Sequence, residues 1–114
     1  MSKLVLHMFH DDVSSLSTVP ALVERMHQSK PADGTDLEVY VFGPAEAALA
    51  DSKRNEINTQ IDNLLKLGVR VTACIGLAQK SGAEASFRMR GIALESAALA
   101  FPRFASEGAT VITF

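Results

Sequence analysis

The chain has 114 residues, 47% of them apolar, with a formal net charge of -2 and one cysteine. Length and apolar fraction make a single domain, residues 1–114, with enough material for a genuine core. The small net charge gives no long-range field for nucleic acid or an anionic membrane, and no apolar run approaches the roughly 20 residues of a membrane span.

Lys3 to Phe9 is a nearly continuous apolar run, as expected of a strand covered on both faces in a parallel sheet. With a lone Lys3 and a break at His7, the start reads as a first strand and not as a signal peptide. A single thiol permits no internal disulfide, so nothing marks an oxidising compartment, and a cytoplasmic protein is expected. His10 to Thr18 reads as a polar loop, and Leu16, Val19, Leu22, Val23 and Met26 recur at helical spacing. A first helix is therefore predicted over about Thr18 to Gln28, with Pro20 in its first turn, where a missing N–H does little harm. Lys30 to Thr35 is a turn-rich connection.

Leu37 to Phe42 reads as a second strand, ended by Gly43-Pro44, and Ala45 to Ala50 as a short helix. Asn55 to Leu67 is the clearest helix in the chain: Ile57, Ile61, Leu64 and Leu65 share one face, and Gly68 stops it. Val69 to Ala73 is a β-branched run too short for a helix, and Cys74 arrives where that third strand stops. The pattern then weakens. Leu77 to Gly91 reads as a long basic loop, carrying Lys80, Arg88 and Arg90 and broken by Gly82 and Gly91; loops of this length often serve as lids or subunit contacts. Ile92 to Leu94 reads as a short fourth strand. Ser96 is placed to cap a last helix across Ala97, Ala98, Phe101, Phe104 and Ala105, ending at Gly108, with a kink or later start expected at Pro102. Ala109 to Phe114 is the final strand. Such alternation argues for one parallel sheet with helices on both faces.

The carboxyl ends of parallel strands are where ligands and reactive side chains collect, which makes Cys74 the first candidate. It reads either as a nucleophilic thiolate favoured by the basic segment after it or as a small buried hydrophobe, since free cysteine is among the most buried residues. Gly76, Lys80, Arg88 and Arg90 are the candidate surroundings of a thiolate. His7, His10, Asp11 and Asp12 carry types that can hold a divalent metal, but no distant Cys or His pair completes a standard site, so no metal is assigned. A phosphate-accepting receiver is excluded, because Cys74 stands where its aspartate belongs and no lysine follows Lys80. A flavin-type phosphate loop at His10 to Thr18 lacks the glycine that close backbone approach needs. No cofactor is expected.

The segment Leu37-Glu-Val-Tyr-Val-Phe-Gly-Pro44, the helix end Leu65-Lys-Leu-Gly68, the strand Val69-Arg-Val-Thr-Ala-Cys74 and the close Glu107-Gly-Ala-Thr-Val-Ile112 occur in an order and spacing that resemble the DsrE/DsrF-like (YchN-like) sulfur-relay family. The resemblance covers Leu37 to Phe114 by motif and the first strand–helix unit by architecture. It implies an α/β fold: a three-layer α/β/α sandwich around a five-stranded, mostly parallel sheet, assembled as a homo-oligomer, a trimer or hexamer. It also implies that Cys74 accepts sulfane sulfur as a persulfide from a donor and passes it to an acceptor protein. The histidine–aspartate segment is not part of the family motif. The sequence shows no conventional catalytic constellation, so the chain is at most a sulfurtransferase-like carrier. Two other readings stand beside it: a non-catalytic oligomeric binding or scaffold protein in which Cys74 merely packs, and a peroxide-reactive thiol that needs an external resolving thiol.

Overall fold

A computed structural model describes residues 2–29 and 34–114. The elements in chain order are β1 (Lys3–Met8), α1 (Val13–Ser29), β2 (Asp36–Val41), α2 (Pro44–Ala50), α3 (Asn55–Lys66), β3 (Arg70–Ala73), α4 (Ile75–Ser81), α5 (Glu84–Arg90), β4 (Ala93–Leu94), α6 (Ala97–Ser106) and β5 (Thr110–Thr113). The strands form one sheet in the order β4, β3, β2, β1, β5, and every pair is parallel. The turn expected from Lys30 falls largely outside the described residues.

The topology divides the helices between the two faces. The chain steps from β1 to β4 in one direction, then reverses through α6 to set β5 beside β1. Parallel crossovers are almost always right-handed, so a reversal of direction puts its helix on the opposite face. One face carries Leu6, Met8, Val39, Val41, Val71 and Ala73 under α1, α3 and α5, with Val19, Ile61, Leu64 and Phe87 as buried contacts. The other carries Val5, Tyr40 and Cys74 under Ala100 and Phe104 of α6. This makes the expected three layers, with one layer thin.

Two segments differ from expectation. The polar stretch after β1 is mostly helix: α1 begins at Val13, not Thr18, because Asp12 accepts the Ser15 N–H at 3.1 Å and the Ser15 hydroxyl at 2.8 Å. Pro20 therefore lies in the helix interior, buried, rather than in the first turn. The segment from Leu77 to Gly91, expected as a loop, is two short helices. Gly82 (φ 74°) and Gly91 (φ 92°) are left-handed C-terminal caps, closed by Ala83 N–H to Ala78 O at 2.8 Å and Ile92 N–H to Phe87 O at 3.0 Å. A glycine at a helix end and a glycine in a loop look alike in sequence. α6 runs through Pro102 from Ala97 with no later start; Ser96 holds its N-cap position without a side-chain hydrogen bond.

The N-terminal ends of the strands are fastened by Glu38, a buried carboxylate on the α6 face. It meets Lys3 at 2.9 Å and Arg103 at 2.8 Å and accepts the Thr72 hydroxyl at 2.9 Å. Burial pushes its carboxyl up, but the bonds from Arg103, Lys3 and Thr72 outweigh that and hold it below the usual range.

Candidate functional site

Cys74 stands at the carboxyl end of β3, in the N-cap position of α4. Its backbone N–H is shared: the Val41 carbonyl accepts it at 3.3 Å, continuing the β2–β3 ladder, and Glu46 Oε1 accepts it at 3.1 Å. The residue is 7% exposed and belongs to the cluster of Val5, Tyr40, Ala100 and Phe104 on the thin side of the sheet.

Alternation sets three polar side chains on the same face of the sheet as this thiol. The registers Val5 to Glu38, His7 to Tyr40 and Tyr40 to Thr72 set Glu38, Tyr40 and Thr72 on one face, and Cys74 continues that face one step past Thr72. The Tyr40 hydroxyl donates to the Glu95 carbonyl at 2.9 Å, and the ring packs in the same buried cluster as Cys74. Burial first, then Cys74, push the phenol well above its ordinary range, so Tyr40 keeps its proton.

Glu46 comes from α2, where Ala45, Glu46, Ala48 and Leu49 form the inward stripe. The helix is held in place by Gly43 (φ 66°), where a Cβ would run into the Phe9 ring. Glu46 is 1% exposed, and its second oxygen, Oε2, is buried with no hydrogen-bond partner. Burial raises its pKa to about 8 against the opposing bond from the Cys74 N–H, so at neutral pH it is mainly a carboxylic acid. The same side chain reaches the wall of a cleft of about 390 Å³, lined by Pro44, Glu46 and Ala47 on the α2 side and Leu77, Lys80 and Ser81 on the α4 side.

The expected cationic surroundings are only partly assembled. Lys80 is at this cleft. Arg88 pairs with Glu84 of its own helix at 3.1 Å, and Arg90 binds Asp62 and Asn58 of α3, on the opposite side of the sheet from Cys74. Both guanidiniums are committed elsewhere. Gly76, in α4, leaves open space whose nearest side-chain atom is the Cys74 Sγ, 4.0 Å from where a Cβ would stand.

The histidine–aspartate segment separates by role. His7 is buried in a ring of Phe9, Tyr40, Phe42 and Phe101, with Nδ1 at 3.0 Å from the Thr113 hydroxyl and Nε2 without a partner. Burial, with His10 nearby, lowers its pKa and favours the neutral ring. Asp12 caps α1, while His10 and Asp11 are exposed. Among the described residues no three His, Cys, Asp or Glu side chains converge as a metal site would require.

Glu46 and Tyr40 are the residues that sequence reasoning missed. For Glu46 the available signal was one acid in an alanine-rich helix whose 45, 48 and 49 positions all face inward. For Tyr40 it was the strand alternation that sets it on the same face as Cys74.

No family model matches the sequence, and no curated protein matches it. Solved structures do match. A conserved protein of unknown function from Bacteroides thetaiotaomicron has a TM-score of 0.80 at 16% identity, over 99% of this chain and 95% of its own. A protein of unknown function from Methanobacterium thermoautotrophicum has a TM-score of 0.80 at 22% identity, over the whole of both chains. The ychN protein of E. coli has a TM-score of 0.67 at 18% identity, also over the whole of both. The fold is therefore YchN-like, as the sequence resemblance implied.

Proposed function

We propose that this YchN-like domain is a sulfur carrier that holds sulfane sulfur on Cys74. The observation that carries the reading is the convergence of two buried polar side chains on Cys74: Glu46 accepts its backbone N–H, and Tyr40 packs beside it in the same buried cluster. Burying polar groups is unfavourable, and a cysteine that only fills space has no need of them. The Cys74 thiolate attacks the terminal sulfur of a sulfane donor, the donor's sulfur–sulfur bond breaks, and the electron pair leaves with the donor remnant. Cys74–S–S⁻ remains. An acceptor thiolate then attacks the outer sulfur and expels the Cys74 thiolate, so each step is balanced without an external oxidant.

The reading carries a setting with it. A free thiol in this chemistry belongs to a reducing compartment, the cytoplasm. Assembly as a homo-oligomer, a trimer or hexamer, is supported by apolar side chains left open on α6 and on β5 at the edge of the sheet: Leu99 is 66% exposed, Val111 37% and Ile112 44%. The competing reading, a scaffold without thiol chemistry, draws on the same low exposure of Cys74 and on the commitment of Arg88 and Arg90 to other partners.

Cyanolysis separates the two. Polysulfide-treated, desalted protein should release about one thiocyanate per chain, and Cys74→Ser none. Equal release from both proteins would remove the carrier reading.

A further inference from the structure

We propose that the cleft between α2 and α4 is an anion-binding subsite in which the buried, unpartnered Glu46 carboxyl donates a hydrogen bond to the anion and Lys80 supplies the countercharge. The unmet valence of Glu46 is the starting point. One oxygen is used by the Cys74 N–H; the other is buried, has no partner, and belongs to a side chain that forms the cleft wall. An acid proton there needs an acceptor, and none of the described residues supplies one. Lys80 lines the same cleft and, among the described residues, has no carboxylate partner. Pro44, Ala47 and Leu77 make most of the remaining wall apolar, with Ser81 as a further polar side chain, and an apolar surround strengthens a charge-assisted bond.

The ligand class follows from the donors: a small anion with hydrogen-bond-accepting oxygens or sulfurs at its head. Leu77 lines the cleft and packs against the Cys74 cluster, so the cleft adjoins the thiol's surroundings without Cys74 lining it. If Cys74 is a sulfur carrier, the anion is its sulfane donor, an identification that rests on that reading, whereas the anion site itself does not. The titratable groups that act on or are acted on by Glu46 are Tyr40 from β2 and Cys74 from the β3–α4 junction; Lys80 from α4 lines the same cleft, and α3, the other helix packed on α2, contributes nothing to it. Losing the Glu46 proton replaces a donor by a second negative charge, so the anion is released as pH rises past about 8.

The test is thiosulfate and sulfate titration of the Cys74→Ser protein, followed by NMR shifts of α2 and α4. Removing the thiol separates binding from sulfur transfer. Both anions should saturate the cleft at pH 6.5 and bind about thirty-fold more weakly at pH 9.5, as the protonated fraction of a group titrating near 8 falls. Glu46→Gln, whose amide donates at any pH, should bind equally at both pH values, and Lys80→Met should weaken binding about five-fold or more. No saturable shift at the cleft, or binding indifferent to both pH and Lys80, overturns the subsite. Thiosulfate modification of wild-type Cys74 without cleft binding removes the subsite and keeps the carrier; cleft binding with no transfer from any sulfane donor does the reverse.

Discussion

Glu46 has a consequence for stability that is separate from chemistry. Its carboxyl titrates near 4.5 as a free side chain and near 8 in the fold, so between those values the folded state holds the extra proton. Stability from this group is full below about pH 4.5, falls as pH rises through the window, and levels off above 8. The slope approaches about 1.4 kcal/mol per pH unit at its steepest. Glu46→Gln should therefore gain on the wild type between pH 5 and 8 in urea denaturation; parallel curves would show that Glu46 is not buried as an acid. Tyr40→Phe should cost about 1–2 kcal/mol, because the Glu95 carbonyl loses its donor while the ring packing stays. Equal stability would mean that water replaces the hydroxyl. Cys74 was legible as a candidate because its place depends on a local boundary between strand and helix. The roles of Tyr40 and Glu46 were not, since each depends on a partner 28 or more positions away.

At the scale of elements, local chemistry decided what could be read. α3 was predicted almost to the residue, because its apolar stripe and terminal glycine agree. α1 was read short because Asp12, Ser14 and Ser15 have loop composition, although Asp12 and Ser15 form its cap. α4 and α5 were missed because seven residues each leave too little periodicity to see, and their cap glycines looked like breaks. The reassignment is testable. Gly82→Ala places a Cβ at φ 74° and should destabilise the fold by about 1 kcal/mol, although nothing crowds the site. A mobile loop there would absorb the same change with no measurable loss in thermal or chemical melts.

For the whole molecule, alternation of strands and helices predicted a parallel sheet, while strand order had no local signal. That order depends on α6 crossing back to deliver β5 beside β1, and on long-range pairs that no window of sequence contains. Glu38 is one such device, joining β1, β3 and α6 from β2. Glu38→Ala leaves Lys3 and Arg103 without their shared carboxylate and should cost about 3 kcal/mol. A change below 1 kcal/mol would mean that solvent and the carboxylates of Glu95 and Glu107 already satisfy those cations. Assembly is decided at this scale too. Sedimentation should show a trimer or hexamer, and Ile112→Lys on the β5 edge should shift it toward monomer. A wild type that stays monomeric at every concentration would contradict the proposed assembly.

The carrier reading as a whole rests on whether the Cys74 sulfur reacts. The most direct measurement is intact mass spectrometry of reduced, folded protein after exposure to polysulfide, with Cys74→Ser beside it. The account predicts a gain of about 32 Da or a small multiple on the wild type alone, reversed by added thiol. No adduct, together with a thiol that alkylating reagent reaches only after unfolding, would make Cys74 a packing residue and leave the YchN-like fold without sulfur chemistry.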